Sequence, residues 1–143
     1  MNVGQILKYK GRNVVVNHAE ALIDDIVREL AEHKIGAVVI VDDARTVNGI
    51  VSERDVMWSL AQNGASCLRQ PVKSIMTRDV VTCTEQDSIT KIMELMTTGR
   101  FRHVPVVADG RELIGIVSIG DVVKNHIAEV ELEASALKSY VAG

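Results

Sequence analysis

The feature that most constrains this chain is that it contains the same segment twice. Laid over each other at a constant offset of 66 residues, Val14–Val56 and Val80–Val122 match without a gap, with identities concentrated at both ends. Val14-Val15 falls on Val80-Val81, Ile23 and Ile26 fall on Ile89 and Ile92, and Gly49-Ile50-Val51-Ser52 falls on Gly115-Ile116-Val117-Ser118. Asp55-Val56 then falls on Asp121-Val122. A leader precedes each copy: Val3, Ile6 and Leu7 resemble Val72, Ile75 and Met76, with a slightly longer link to the following strand in the first copy. A unit of this size has too little interior to stand alone, so two copies are expected to share a core.

Periodicity gives the order within each unit. A short extended piece (Val14–Val16; Val80–Thr82) leads to polar residues suited to a helix start, Asn17 with Glu20 and Thr84 with Asp87. Leu22, Ile23, Ile26, Val27 and Leu30, and likewise Ile89, Ile92, Met93 and Met96, recur at helical spacing and give each helix one apolar stripe. Two strand-like runs follow in each copy, Ala37–Val41 and Val47–Val51, then His103–Val107 and Leu113–Val117, before a second helix at Ser52 or Ser118. The expected fold is α/β (α+β), two pseudo-symmetric β-α-β-β-α repeats packed sheet to sheet with an extended C-terminal helix. Its expected divisions are 1–66 for repeat one with its leader, 67–126 for repeat two and 127–143 for a helical extension. That tail is expected to pack back on its own subunit, with a helical dimer contact as the alternative. Trp58 is expected in the core. Pro105, unusual inside a strand, points to an edge or to a strand whose missing N–H has no ladder partner.

Composition then removes whole classes of function. With 47% hydrophobic and 24% charged residues the chain is globular, and with only Trp58, Phe101, Tyr9 and Tyr140 aromatic its core is aliphatic and its stacking platforms few. A net charge of -3 makes nucleic acid an unlikely partner. The longest wholly apolar stretch, Ala37–Val41, is far short of a membrane span, and Met1–Asn13 has no signal-like run. Cys67 and Cys83 stand apart from any Cys/His cluster, so neither zinc nor a disulfide is expected, and a cytoplasmic location is. Phosphate loops, metalloprotease helices and nucleophile elbows are all missing, and the expectation is a protein that is not an enzyme.

The duplicated corner carries the chemistry. Each copy ends a strand on Ser52 or Ser118, opens a helix, and places Asp55 or Asp121 in its first turn. Unpaired N–H groups and a hydroxyl at a helix start suit phosphate, while a carboxylate suits the paired hydroxyls of a ribose. The same Ser-x-x-Asp is also a capping box that needs no ligand. The duplicated glycine of Gly-Ile-Val-Ser, three residues before each Ser and six before each Asp, goes beyond what capping requires, yet duplication alone would repeat it. Both readings stay open on the residues alone.

With Gly-Ile-Val-Ser-x-x-Asp present twice and Arg102-His103-Val104-Pro105-Val106-Val107 before the second copy, the chain resembles the cystathionine beta-synthase (CBS) domain family, whose tandem pairs are called Bateman modules. The resemblance runs from about Val3 to Lys124. It implies a disc-like pair with two clefts for adenosine-containing ligands: AMP, ADP, ATP, NAD(H) or S-adenosylmethionine. It also implies a homodimer and a regulatory role toward a protein partner, with an oligomeric scaffold of vestigial clefts as the alternative. Carried over residue by residue, it groups Ser52, Arg54 and Asp55 with Thr82, Arg102, His103 and Pro105. Ser118 and Asp121 are grouped with Val16, Gly36 and Ala37. The clefts are then expected to be unequal, the first holding Arg54 and Arg102 for phosphate, the second having no cation at matching positions.

Overall fold

The computed structural model describes residues 1–142. Repeat one comprises β1 (Val16–Asn17), α2 (Ile23–His33), β2 (Ala37–Val41), β3 (Val47–Ser52) and α3 (Glu53–Asn63), preceded by α1 (Val3–Lys10). Repeat two comprises α4 (Ile89–Gly99), β4 (His103–Ala108), β5 (Glu112–Ser118) and α5 (Ile119–Ala142), with 3-10 turns at Gly64–Arg69 and Val72–Ser74 leading into it. β1 runs parallel to β2, which pairs antiparallel with β3; β4 pairs antiparallel with β5. The mixed α+β fold of two repeats with a long C-terminal helix is the one the sequence leads one to expect.

The duplication persists in fine detail. Both hairpins carry a bulge, at Ile40/Val41 and at Val106/Val107. The four non-glycine residues in the left-handed region form two image pairs, Lys34 with Arg100 closing α2 and α4, and Arg45 with Arg111 in the hairpin turns. Left-handed closure lets the cap N–H of Lys34 reach Leu30 O and that of Arg100 reach Met96 O.

Three apolar clusters make the core. Each repeat packs its sheet on its own first helix, Val38, Ile40 and Val51 on Ile23 and Ile26, and Val104, Val106 and Val117 on Ile89 and Ile92. A third cluster, Val39, Val41 and Val47 with Val107 and Leu113, joins the two sheets face to face. Alternation along β3 and β5 puts every second residue on each face, which is how one strand serves two cores.

The leaders cross over. Val3, Ile6 and Leu7 of α1 are buried in the core of repeat two, and Val72 is buried in that of repeat one with Ile75 and Met76 partly buried against it. The Val72 N–H donates to Ala21 O at 2.7 Å and Ile23 N–H to Gln70 O at 2.9 Å; in the other repeat Val3 N–H donates to Asp87 O at 2.9 Å. This pairing holds the residues before each helix extended, and it corrects the expected helix starts. α2 opens at Ile23, with Asp25 Oδ2 accepting from the Leu22 N–H at 3.2 Å, and α4 at Ile89, with Ser88 Oγ accepting from the Lys91 N–H at 3.1 Å. Asp87 instead accepts from the Thr84 N–H, closing the turn upstream.

The first strands are also corrected. β1 is Val16–Asn17, and its image is reduced to a single bridge, Cys83 with Val106. Pro105 is the cause. In repeat one the Val39 N–H donates to Val15 O at 3.3 Å. The image positions are Pro105 and Val81, and proline has no N–H to give, so the ladder stops at Cys83, whose N–H donates to Pro105 O at 3.0 Å. Trp58 is 61% exposed on α3, a correction to its expected core position. The tail likewise does not pack back: the Met1 ammonium meets Glu129 at 3.1 Å, and residues 130–141 beyond it are exposed.

Candidate functional site

The two Ser-x-x-Asp corners form alike. Ser52 caps α3, its Oγ accepting from the Asp55 N–H at 3.3 Å, while the Ser52 N–H and Oγ–H donate to Asp55 Oδ2 at 2.8 and 3.0 Å. At α5 the Asp121 N–H donates to Ser118 Oγ at 3.2 Å, and Ser118 N–H and Oγ–H donate to Asp121 Oδ2 at 2.9 and 3.0 Å. The capping reading is therefore satisfied at both corners, each with one carboxylate oxygen. The other, Oδ1, accepts no hydrogen bond among the described residues in either case.

The glycines of the motif have a packing role. A Cβ on Gly49 would stand 2.6 Å from Met76 Sδ, and one on Gly115 would stand 2.9 Å from Leu7 Cδ2. Each crossed leader thus rests on the glycine of the repeat it covers, which explains the residue without a ligand.

A cleft of about 330 Å³ opens beside Asp55. Its apolar wall is made of Ile50, Val80, Val81 and Phe101; Ser52, Asp55 and Thr77 supply hydroxyl and carboxylate groups; Arg54, Arg100 and Arg102 stand at its edge. None of the three arginines is in an ion pair among the described residues, so their guanidinium groups are free to meet an anion. Glu53 and Asp79 line the same space, which keeps the cleft from being uniformly positive. The shortened first strand of repeat two helps form the mouth, since Val80 and Val81 line it just upstream of the bridge at Cys83.

Of the residues singled out from the sequence, Ser52, Arg54, Asp55, Arg102 and His103 line this cleft together, and so do Gly36 and Ala37. The resemblance to CBS domains groups the last two with Asp121 instead. They lie here because β2 begins next to the end of β3, Ala37 opposite Ser52, with the Glu53 N–H donating to Gly36 O at 3.0 Å. Thr82, Val16 and Pro105 do not line it: Val16 packs between the sheets and Pro105 is buried in β4. Thr77, Asp79, Arg100 and Phe101 were not anticipated. The antiparallel bridge of Thr77 with Ile50 brings the link after the leader to the cleft, and the left-handed residue Arg100 ends α4 where residues 99–103 line it.

His103 stands between the corners. Its ring lies against Gly36, where a Cβ would come within 2.9 Å of Cε1. Burial pushes its pKa down, countered by Glu53 and Asp121 and aided by Lys10 and Arg102. The ring is thus neutral near pH 7.

The matching positions at the second corner, Gly36, Ala37 and Gly120, hold no cation, but one reaches the corner from the leader helix. Lys10 Nζ, at the end of α1, donates to Asp121 Oδ2 at 2.6 Å and to Ile116 O at 2.9 Å. Burial raises the Asp121 pKa, but the Lys10 ammonium and the Ser118 N–H more than offset it and hold the carboxyl below the usual aspartate range. Asp121 and Ser118 are not part of the cleft beside Asp55.

Comparison with known proteins places this geometry in a family. The CBS domain model matches twice, over residues 8–62 and 72–127. A crystal structure of a CBS-domain containing protein from Agrobacterium tumefaciens superposes with a TM-score of 0.81 at 46% identity, over 86% of this chain and 91% of that one. A CBS domain protein from Pyrobaculum aerophilum complexed with AMP gives 0.76 at 29%, over 85% and 89%. A CBS domain pair in complex with 5-methylthioadenosine and S-adenosyl-L-methionine gives 0.80 at 28%, over 90% and 98%. Among curated relatives, a mitochondrial CBS domain-containing protein of Arabidopsis thaliana is 32% identical over 99% of this chain and 72% of its own length. The chain spans 66% and 62% of the next two, from Acidianus ambivalens and Methanopyrus kandleri. An L-aspartate semialdehyde sulfurtransferase of Methanocaldococcus jannaschii matches 76% of the chain with 20% of the enzyme. With two matched domains over most of its length and the paired Ser-x-x-Asp corners in place, the chain belongs to the CBS domain family.

Proposed function

We propose that this chain is a non-catalytic regulatory module that takes an adenine nucleotide in the cleft beside Asp55 and reports its occupancy to a protein partner. The observation that carries the reading is the composition of that cleft. An apolar wall suits a base, a carboxylate with an uncommitted oxygen suits ribose hydroxyls, and three arginines without ion pairs suit phosphate. Its volume of about 330 Å³ sits at the lower end of small-molecule sites. Solved relatives bound to AMP, or to 5-methylthioadenosine and S-adenosylmethionine, support an adenosine-type ligand. The arginines favour the phosphorylated members, AMP, ATP and NAD(H), over S-adenosylmethionine. Regulation follows if the ligand binds two arrangements of the pair with different affinity.

The test is a thermal-shift series with AMP, ATP, NADH and S-adenosylmethionine. A ligand present at about 100 times its dissociation constant stabilises the folded state by about 2.7 kcal/mol, and the melting temperature should rise accordingly. No shift at millimolar concentration of any of them rejects the reading.

A second reading rests on a separate observation. Met57 and Trp58 on α3 and Ile119, Val123 and Ile127 on α5 are exposed, as are Leu132 and Leu137 farther along the tail. Such apolar surface suits a homodimeric scaffold. Sedimentation of the full chain beside a variant ending at Ala128 separates it from the first: a dimer lost without loss of nucleotide binding assigns the tail to assembly.

A further inference from the structure

The two corners have image acceptors and different donors. Ile50 O accepts from the backbone N–H of Thr77 at 2.9 Å, whereas its image, Ile116 O, accepts from the side-chain ammonium of Lys10 at 2.9 Å. The difference originates in the leaders. The second passes through a three-residue 3-10 turn, Val72–Ser74, and then runs alongside β3 at Thr77. The first continues as an eight-residue helix, Val3–Lys10, seated by Leu7 against Gly115. Lys10 lies three residues after Leu7, on the same helix face, so its stem leads toward the end of β5. There its ammonium reaches Asp121 Oδ2 at 2.6 Å, with the two side chains only 30% and 24% exposed. Asp55 has no such pair among the described residues.

We propose that Lys10 is a built-in occupant of the Asp121 corner, so that the chain takes one adenine nucleotide, beside Asp55, and removal of the Lys10 side chain opens a second site. The inference rests on the nucleotide reading above. Asp121 Oδ1 accepts no hydrogen bond among the described residues, as at Asp55, so the obstruction is the ammonium itself, which bridges Asp121 Oδ2 and Ile116 O and offsets the charge of the carboxylate. Entry of a nucleotide at this corner therefore requires displacing the Lys10 side chain from both oxygens. The first leader acts as a selector of stoichiometry, since what it presents to the corner is a side chain and not backbone.

Calorimetric titration of the full chain with AMP as the probe tests this. Wild type and Lys10→Arg should bind one AMP per chain, Lys10→Ala two, and Lys10→Ala combined with Asp121→Asn one again. At the newly opened corner the affinity should exceed that of the wild-type corner by at least about tenfold. Wild-type binding of two AMP, or no gain in Lys10→Ala, overturns the proposal. The nucleotide reading fails separately: if wild type binds none, the Asp55 cleft is not the site, while a single Asp121-dependent site gained by Lys10→Ala still supports the plug. If neither binds, both fall. The ion pair has its own readout in the 15N resonance of the Lys10 ammonium, expected to exchange with water more slowly than that of exposed Lys8 and to lose that protection in Asp121→Asn. Equal exchange in wild type overturns the proposal regardless of ligand.

Discussion

The corner at Asp55 and the corner at Asp121 have the same motif, the same capping box and the same glycine under a crossed leader, and only one of them lines the cleft. At Asp55 the surroundings are apolar walls and unpaired arginines; at Asp121 they are the ammonium of Lys10. The motif alone therefore does not make a binding site. It makes a well-capped helix start, and the segments brought to it decide whether a ligand has room and charge to stay.

Asp55→Asn and Asp121→Asn give the largest contrast. Loss of a charge-assisted acceptor at the open cleft should weaken AMP binding about a hundredfold, against about twofold or less at the occupied one. Isothermal titration of the two variants reads this directly, and equal losses would break the comparison. Gly49→Ala and Gly115→Ala come next. Each pushes a methyl group into a leader and should destabilise by about 1–3 kcal/mol in urea unfolding, with both repeats affected because each leader serves the other. Full stability in either variant would show that the leader does not rest where it is placed. Ser52→Ala and Ser118→Ala should each cost about 1 kcal/mol as lost helix caps. A much greater loss at one would mean that the corners are not structurally equivalent.

The smallest effect belongs to His103. Because its folded-state pKa is depressed, the unfolded chain binds its proton more readily, and stability should decrease as pH falls below about 6.5, by at most about 1.4 kcal/mol per pH unit. His103→Gln should flatten that slope. An anionic phosphate in the adjacent cleft favours the protonated ring, so AMP should bind severalfold tighter at pH 6 than at pH 7.5 in wild type and not in the variant. A pH-independent affinity would place the phosphate away from His103.

Much of this was legible in the residues because it is local. The 66-residue offset fixed the two repeats, apolar stripes at Ile23/Ile26 and Ile89/Ile92 identified the helices, and the Ser-x-x-Asp pairs marked the strand-to-helix corners. What escaped is long-range. No local pattern says that α1 packs on repeat two, and with that went the true helix starts, the purpose of Gly49 and Gly115, and Lys10. A trace existed all the same: the leaders align at an offset of 69 where the repeats align at 66, and the additional residues in the first link accompany the longer helix that ends on Lys10. Pro105 was read correctly as a missing donor, but its effect appears on a neighbour, where Val81 loses its partner and the strand ends early. Gly36 and Ala37, which the resemblance groups with Asp121, line the Asp55 cleft because the antiparallel hairpin sets the start of β2 beside the end of β3.

Crossed leaders also bear on how such an arrangement can diversify. Two identical single-repeat chains exchanging their first segments would reproduce every contact symmetrically, and any lysine brought to one corner would be brought to the other. Joining the copies in one chain frees each leader to vary in length by itself, so that a single added turn of helix can close one half and leave its twin open.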